Sequence, residues 1–477
     1  MNFEKNKKIY LSIIYGLFFY LSIILKIDIV NKFNLLIIVV IAIVILIIND
    51  RLLLITTIVV SIFDAFLTFN LNLPQVIQYI PDVLTFLIFI KILYSFLKLK
   101  IRITNSILKY IILILLCHLI SLVINNYSLV HFSWGIRNIY RYFIIFIGFQ
   151  YLDIKLDYTS ITKYLKYFVI LEFIVTLFEY YTITDMDDIS GFFGKSGTGL
   201  MLIFLMLCSC FFLSYYIHKK MKMYSLIFFL IIIFIQLILG SVKAAFFYIP
   251  IMIYIMLILS LFNYNDFKIK RKKIIVVGIL IPVMAAISMG FYLKVYSDFS
   301  NVNELFSTEY INKSLYGSYD SSGGTINRIS GISDINNIIL TDNFKKTFGV
   351  GLGNASPSQN IKLQGEYYKD FYMLNYNWFF IPYYILENGF LGLALFVLIL
   401  VIMFFKSIKI YKQDITYEDR IFVFAYMGNV ICILITLIYN SGFNTVQIGY
   451  FFWALSGILI KLENNYKNNK VDIKLEV

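Results

Sequence analysis

Two arginines stand four residues apart in Trp134-Gly135-Ile136-Arg137-Asn138-Ile139-Tyr140-Arg141, inside a run that is otherwise mostly apolar. On a helix this spacing puts both guanidinium groups on one face. Ionisable residues within an apolar span are costly and are functional candidates by default. Two planar forks side by side suit a phosphate or pyrophosphate, which arginine grips through paired N–H donors. The competing reading is that both side chains snorkel to lipid phosphates. Other charges in apolar surroundings are Asp82 after Pro81, the deeper Asp64 and Glu172, and Lys243 in Gly240-Ser241-Val242-Lys243-Ala244-Ala245. Glu179, Asp187 and Asp188 precede Gly191-Phe192-Phe193-Gly194.

Several other chemistries lack their residues. Gly194-Lys195-Ser196 resembles the end of a phosphate-binding loop, but position 189, where that pattern needs glycine, is Ile189. His118, His131 and His218 are too dispersed along the chain for one metal site, and no carboxylate cluster has ligand spacing. No Ser-His-Asp arrangement is visible. Cys117, Cys208, Cys210 and Cys432 all lie inside apolar runs, where cysteine packs as a small hydrophobe. No metal and no cofactor are expected.

The elements that must position these residues are membrane spans. Of 477 residues, 60% are hydrophobic and only 14% charged, and the apolar residues come in long unbroken runs. That pattern excludes a soluble domain and a membrane β-barrel and reads as an all-α polytopic membrane protein. About fourteen spans are expected, at 9–25, 33–49, 52–71, 76–97, 107–124, 134–150, 164–181, 198–217, 223–239, 244–262, 274–293, 384–405, 421–439 and 446–461. Lys5, Lys7 and Lys8 precede the first run, which lacks a small-residue cleavage site and reads as a retained span.

The net charge of +13 resides mostly in alternate short connections, so it speaks for orientation and against nucleic-acid binding. Lys98, Lys100 and Arg102, then Lys219, Lys220 and Lys222, then Lys268 to Lys273, and finally Lys406, Lys409 and Lys412 mark the cytoplasmic side. Both termini are then inside. The chain divides into spans over 1–293, one large extracytoplasmic loop over 294–383, and the last spans with a cytoplasmic tail over 384–477. The loop is polar and rich in tyrosine. It holds Asn327-Arg328-Ile329 and Phe348-Gly349-Val350-Gly351-Leu352-Gly353-Asn354, then an aromatic ramp with Tyr372 and Trp378. Aromatic faces among polar side chains suit sugars; the alternative is an interfacial aromatic belt.

In this order of features the chain resembles the O-antigen polymerase and O-antigen ligase superfamily, to which the Wzy-type polysaccharide polymerases belong. The resemblance spans 134–405. It rests on many spans with one large outer loop and on the early arginine pair. Further features are Gly191-Phe192-Phe193-Gly194 before a span and Ser241-Val242-Lys243-Ala244 in place of a Ser-Arg-Gly-Ala-like turn. The loop then supplies Arg328, its glycine run, Asn377-Trp378 and Glu387-Asn388-Gly389-Phe390-Leu391-Gly392. The outer loop contains no histidine, whereas ligases of the superfamily are thought to use one. The departure favours polymerase over ligase.

The resemblance implies a fold like the type C glycosyltransferases and a metal-independent polymerase in a bacterial cytoplasmic membrane, with its active site facing outside. The substrate would be an oligosaccharide repeat linked to undecaprenyl pyrophosphate, with membrane lipid around it. A chain-length regulator protein would be a further partner. Arg137, Arg141 and Lys243 would hold the pyrophosphate. Arg328 would stabilise charge on the donor, and Glu366 and Asp370 are the candidate bases. Gly351, Gly353, Tyr372 and Trp378 would face the glycan. Glu387 opens the following span and suggests a role at the start of that helix. The competing functions are a lipid-linked oligosaccharide flippase, the ligase and a non-catalytic subunit.

Overall fold

A computed structural model describes residues 49–99, 106–152, 158–262 and 326–475 apart from 359, with isolated positions between 278 and 312. The described residues form helices and turns, with no strand among them. Ahead of the long polar segment come α1 (Asp50–Ala65), α2 (Ile80–Leu99), α3 (Ser106–Asn125), α4 (Leu129–Tyr151) and α5 (Tyr158–Thr182). They are followed by α6 (Thr198–Ile217), α7 (Met223–Leu239) and α8 (Ala245–Phe262). Short helices α9 (Ser330–Asp334), α10 (Asn343–Phe348) and α11 (Glu366–Phe371) lie within that segment. Beyond it run α12 (Phe380–Tyr411), α13 (Tyr417–Thr436) and α14 (Val446–Leu475).

Among the described residues seven helical stretches are long and apolar enough to cross a membrane: Asp50–Asn70, Gln75–Lys98, Ile107–Asn125, Thr198–Ile217, Phe380–Tyr411, Tyr417–Thr436 and Val446–Lys467. Met223–Leu239 and Ala245–Ser260 are apolar but shorter. α4 and α5 are long but more polar along their length. Every expected span on described residues coincides with a helix. The expected span 9–25, and most of 33–49 and 274–293, lie outside the described residues, as does most of 294–325 in the expected loop.

The centre is formed by α6, α13 and residues 446–462 of α14, whose side chains are buried nearly throughout. α14 packs along α4 and α1, α6 against α13 and α8, and α12 against α13 and α3. At the rim, α2 and α3 leave Val83, Phe86, Leu97, Ile112 and Val123 exposed. Such faces need an apolar surrounding, as a bilayer supplies.

The two ends differ in chemistry. At one, Lys91 pairs with Asp50, Lys406 with Glu463 at 2.7 Å, and Lys461 donates to the Leu152 carbonyl at 2.7 Å. At the other, α5 turns its carboxylates on the segment 190–194. Glu179 accepts from the N–H groups of Ser190 (2.9 Å) and Gly191 (2.6 Å) and from the Asn70 amide, and Glu172 accepts from Phe192 N–H at 3.0 Å. These acids satisfy backbone donors that would otherwise be buried unpaired.

The described part of the polar segment also lies at this second end and has its own small core. Ile326, Ile335, Ile339, Leu340, Val350, Ala355, Leu374 and Tyr376 pack with Ile385 and Leu386 of α12. Asp342 caps α10 by accepting from Lys345 N–H at 2.7 Å, and that N–H holds the Asp342 carboxyl below the usual range. α12 starts at Phe380, so the last turn of the expected loop is helical: the 379–383 ramp has burial to gain on this core, and its backbone pairs internally.

Candidate functional site

The Gly349–Asn354 run and the Glu387–Gly392 motif, distant in sequence, form one structure. α12 breaks at Gly389, whose backbone (φ 67°, ψ 179°) is non-helical. The carbonyls of Leu386 and Glu387 accept instead from the N–H groups of Val350 (2.8 Å) and Gly351 (3.2 Å). A Cβ at Gly389 would lie 2.1 Å from the Thr347 carbonyl oxygen, so only glycine permits this approach. The buried Glu387 carboxylate then reaches into the turn. Ser356 Oγ donates to it at 2.8 Å and is itself paired with the Tyr383 hydroxyl at 2.8 Å, and the N–H groups of Gly353 and Ala355 also favour the carboxylate. Glu387 is thus the anchor of the glycine turn.

The other side of the turn rests on the α3–α4 corner. Tyr127 donates to the Leu352 carbonyl at 2.9 Å, and Asn125 Nδ2 to the Gly349 carbonyl at 3.0 Å. A Cβ at Gly351 would strike the Tyr127 ring at 2.2 Å, and one at Gly353 the His131 carbonyl oxygen at 2.0 Å. These two glycines, expected to face a glycan, face protein: their small size is used for packing against α3 and α4.

This clamp sits beside the arginine pair. Gly135 of α4 abuts Leu352 and Gly353, and Arg137 and Arg141 follow on the same helix. Both arginines converge on Asp82 in the first turn of α2. Arg137 donates to Asp82 Oδ2 from Nε (3.1 Å) and from Nη2, and Arg141 donates to Oδ1 from Nη1 at 3.2 Å. Arg137 also lies over the rings of Trp134 (4.2 Å) and Tyr79 (5.2 Å), which favours a guanidinium by stacking. Arg141 donates to the Tyr142 hydroxyl at 3.0 Å, and that hydroxyl donates to the Asn444 carbonyl at 2.6 Å. Asp64 lies close enough to Arg141 for their charges to interact, and Gln447 donates to it at 2.8 Å. The cluster therefore joins α1, α2, α4 and the start of α14.

Arg328 meets the same α13–α14 connection that Tyr142 reaches at Asn444. Its Nε donates to the Tyr439 carbonyl at 3.1 Å, and its guanidinium lies over Phe379 (5.2 Å) and Tyr439 (5.4 Å). The short α13–α14 connection thus offers Tyr439 O to Arg328 and Asn444 O to the Tyr142 link of Arg141. Ser441 N–H ties the same connection to the Trp378 carbonyl at 2.9 Å, beside Arg328. Trp378 is exposed, as is Tyr372. Lys243 is exposed on the α7–α8 turn; Tyr248 of α8 packs edge-on against Tyr439, so this turn belongs to the Arg328 side.

Glu366 and Asp370 are exposed on α11 and, among the described residues, form no ion pair with any of these arginines. Glu366 follows closely on Leu363, which with Leu129, Val130, Ser133 and Trp134 lines a depression of about 410 Å³ beside Arg137. The sequence marks Asp82 as a charge in apolar surroundings but does not join it to the arginines. It also misses Glu387 as the turn's anchor. The usable signal was charge balance, because arginines within an apolar run need a carboxylate, and Asp82 and the deeper Asp64 are acids in earlier apolar runs. Compared with protein-family models and with curated proteins, the sequence gives no match.

Proposed function

We propose that this chain polymerises lipid-linked oligosaccharide repeat units, transferring a growing glycan from an isoprenyl pyrophosphate to the next unit at the outer face of a bacterial membrane. The observation that carries this reading is the juxtaposition of paired arginines at one end of the helical bundle with a folded polar segment clamped beside them. A pyrophosphate-linked lipid brings its anion to that depth and its sugar to the segment above. The acceptor hydroxyl attacks the anomeric carbon of the donor sugar. The bond from that carbon to the pyrophosphate oxygen breaks, the lipid pyrophosphate leaves with the electron pair, and the hydroxyl proton passes to a base. Glu366, next to the depression at Trp134, fits the role of base better than Asp370 farther along α11. Arginines held over aromatic rings in a low-dielectric setting stabilise the charge that develops on the leaving group. The reading as a flippase draws support from the same arginine cluster, but it gives the clamped polar segment no task.

The test is a chain-extension assay. Purified protein in detergent, given lipid-linked repeat units alone, is expected to produce a ladder of longer products without ATP or nucleotide sugar. Arg328→Ala is expected to reduce ladder formation by at least a hundredfold, since one lost transition-state donor costs about 10²–10³ in rate. Folded wild-type protein that leaves its substrate at a single length points to the flippase.

A further inference from the structure

Two arginines from one helix face meet on a single carboxylate from another helix. That geometry is an anion site filled by the protein itself. Asp82 presents two oxygens, one to each guanidinium, as two oxygens of a phosphate would. Arg141 Nε is buried and finds no acceptor among the described residues, so a donor remains over. The groups around the pair are mostly neutral: Tyr79, Trp134, Tyr142 and Tyr450, with Asp64 as the second acid on the Arg141 side. Asp82 has somewhere else to go. It stands in the first turn of α2, at the positive end of that helix, where a carboxylate is tolerated without a cationic partner.

We propose that Asp82 is a displaceable placeholder: it keeps Arg137 and Arg141 aligned and charge-compensated in the empty protein, and yields them to the pyrophosphate of the incoming lipid. This rests on the reading of the arginine pair as a pyrophosphate site. Two half-buried guanidinium groups four residues apart repel each other, and a bound carboxylate relieves that at rest. The same carboxylate competes with the ligand, so apparent affinity is reduced by the fraction of protein in which Asp82 still holds the pair. Weakened binding of the pyrophosphate is useful when the lipid pyrophosphate is also the product that must depart. Asp82 is in this sense a positioning residue, acting through the arginines.

The experiment measures binding of inorganic pyrophosphate and of farnesyl pyrophosphate to the purified full-length protein in detergent. Asp82→Asn keeps the shape and removes the charge. It is expected to bind both probes roughly tenfold more tightly than wild type, the scale of one charged hydrogen bond. Adding Arg137→Ala and Arg141→Ala to Asp82→Asn is expected to abolish the gain. Asp82→Ser serves as the second neutral variant, and Asp82→Glu is expected to bind no better than wild type. Folded Asp82→Asn or Asp82→Ser with unchanged or weaker affinity overturns the proposal. So does a gain that survives loss of both arginines, or failure of both neutral variants to fold. Tighter binding of the farnesyl form assigns the site to a lipid headgroup; tighter binding of the inorganic ion overturns that assignment. A wild-type ladder with no affinity change in Asp82→Asn sinks the placeholder and leaves the polymerase reading. Tighter binding in Asp82→Asn by a protein that makes no ladder does the reverse.

Discussion

Glu387 shows how one side chain can hold two segments together. The residue is 3% exposed, and its carboxylate receives Ser356 Oγ, backed by the Tyr383 hydroxyl, and the N–H groups of Gly353 and Ala355. Removing it leaves those donors without an acceptor in a place water does not reach, and unpaired buried donors cost far more than a hydrogen bond returns. Glu387→Ala is expected to lower stability by about 3 kcal/mol, the loss of one or two hydrogen bonds to a charged group. Thermal unfolding of the purified protein measures this, and an unchanged midpoint rules out the anchoring role. Glu387→Gln is expected to lie between, because an amide accepts some of the same bonds but brings N–H donors of its own. Asp82 sits in a different balance. It faces two cations and is partly exposed, so its neutralisation acts first on what the arginines bind.

At the level of elements, the break in α12 decides where the polar segment can dock. A continuous helix keeps the carbonyls of Leu386 and Glu387 for its own ladder. The turn at Gly389 frees them, and Val350 and Gly351 take them up. Gly389→Ala forces a side chain into a backbone region that is essentially confined to glycine, at a cost of about 1–3 kcal/mol. The steric approach to Thr347 adds to this. The expected result is release of the 348–356 turn with α12 still inserted, read as faster hydrogen exchange or proteolysis confined to that turn. Protection equal to wild type contradicts the clamp. The α5 carboxylates Glu172 and Glu179 do the same work for the 190–194 turn.

For the whole molecule, the ends of the bundle carry the argument about sidedness. Lysine-bearing connections gather at one end, and the polar segment, the arginine cluster and the α13–α14 connection at the other. If the lysine-rich end is cytoplasmic, cysteines placed at the exposed positions Asn337 and Asn360 are expected to react with a membrane-impermeant thiol reagent in intact cells. A cysteine at exposed Asp414 is expected to react only after permeabilisation. The native cysteines Cys117, Cys208, Cys210 and Cys432 are buried and give a low background. Labelling of Asp414 alone in intact cells inverts the orientation and removes the substrate from the proposed site.

Composition and periodicity alone determined that this is a helical membrane protein and roughly where its helices run. A bilayer imposes length and apolarity on every span, and those are written locally. The i,i+4 arginines were legible for the same reason, since a single helix sets their spacing. Pairings between helices were not. That Asp82 reaches both arginines, that Asn444 and Tyr439 link them to Arg328, and that Glu387 anchors the glycine turn all depend on which helices lie side by side. The same holds for Gly351 and Gly353, whose sequence offers a tight turn to ligand or protein alike; only the packed α3–α4 corner shows that protein fills the space. Sequence distance carries no record of such contacts, because burial of polar groups is satisfied by whichever partner the tertiary packing brings within hydrogen-bond reach.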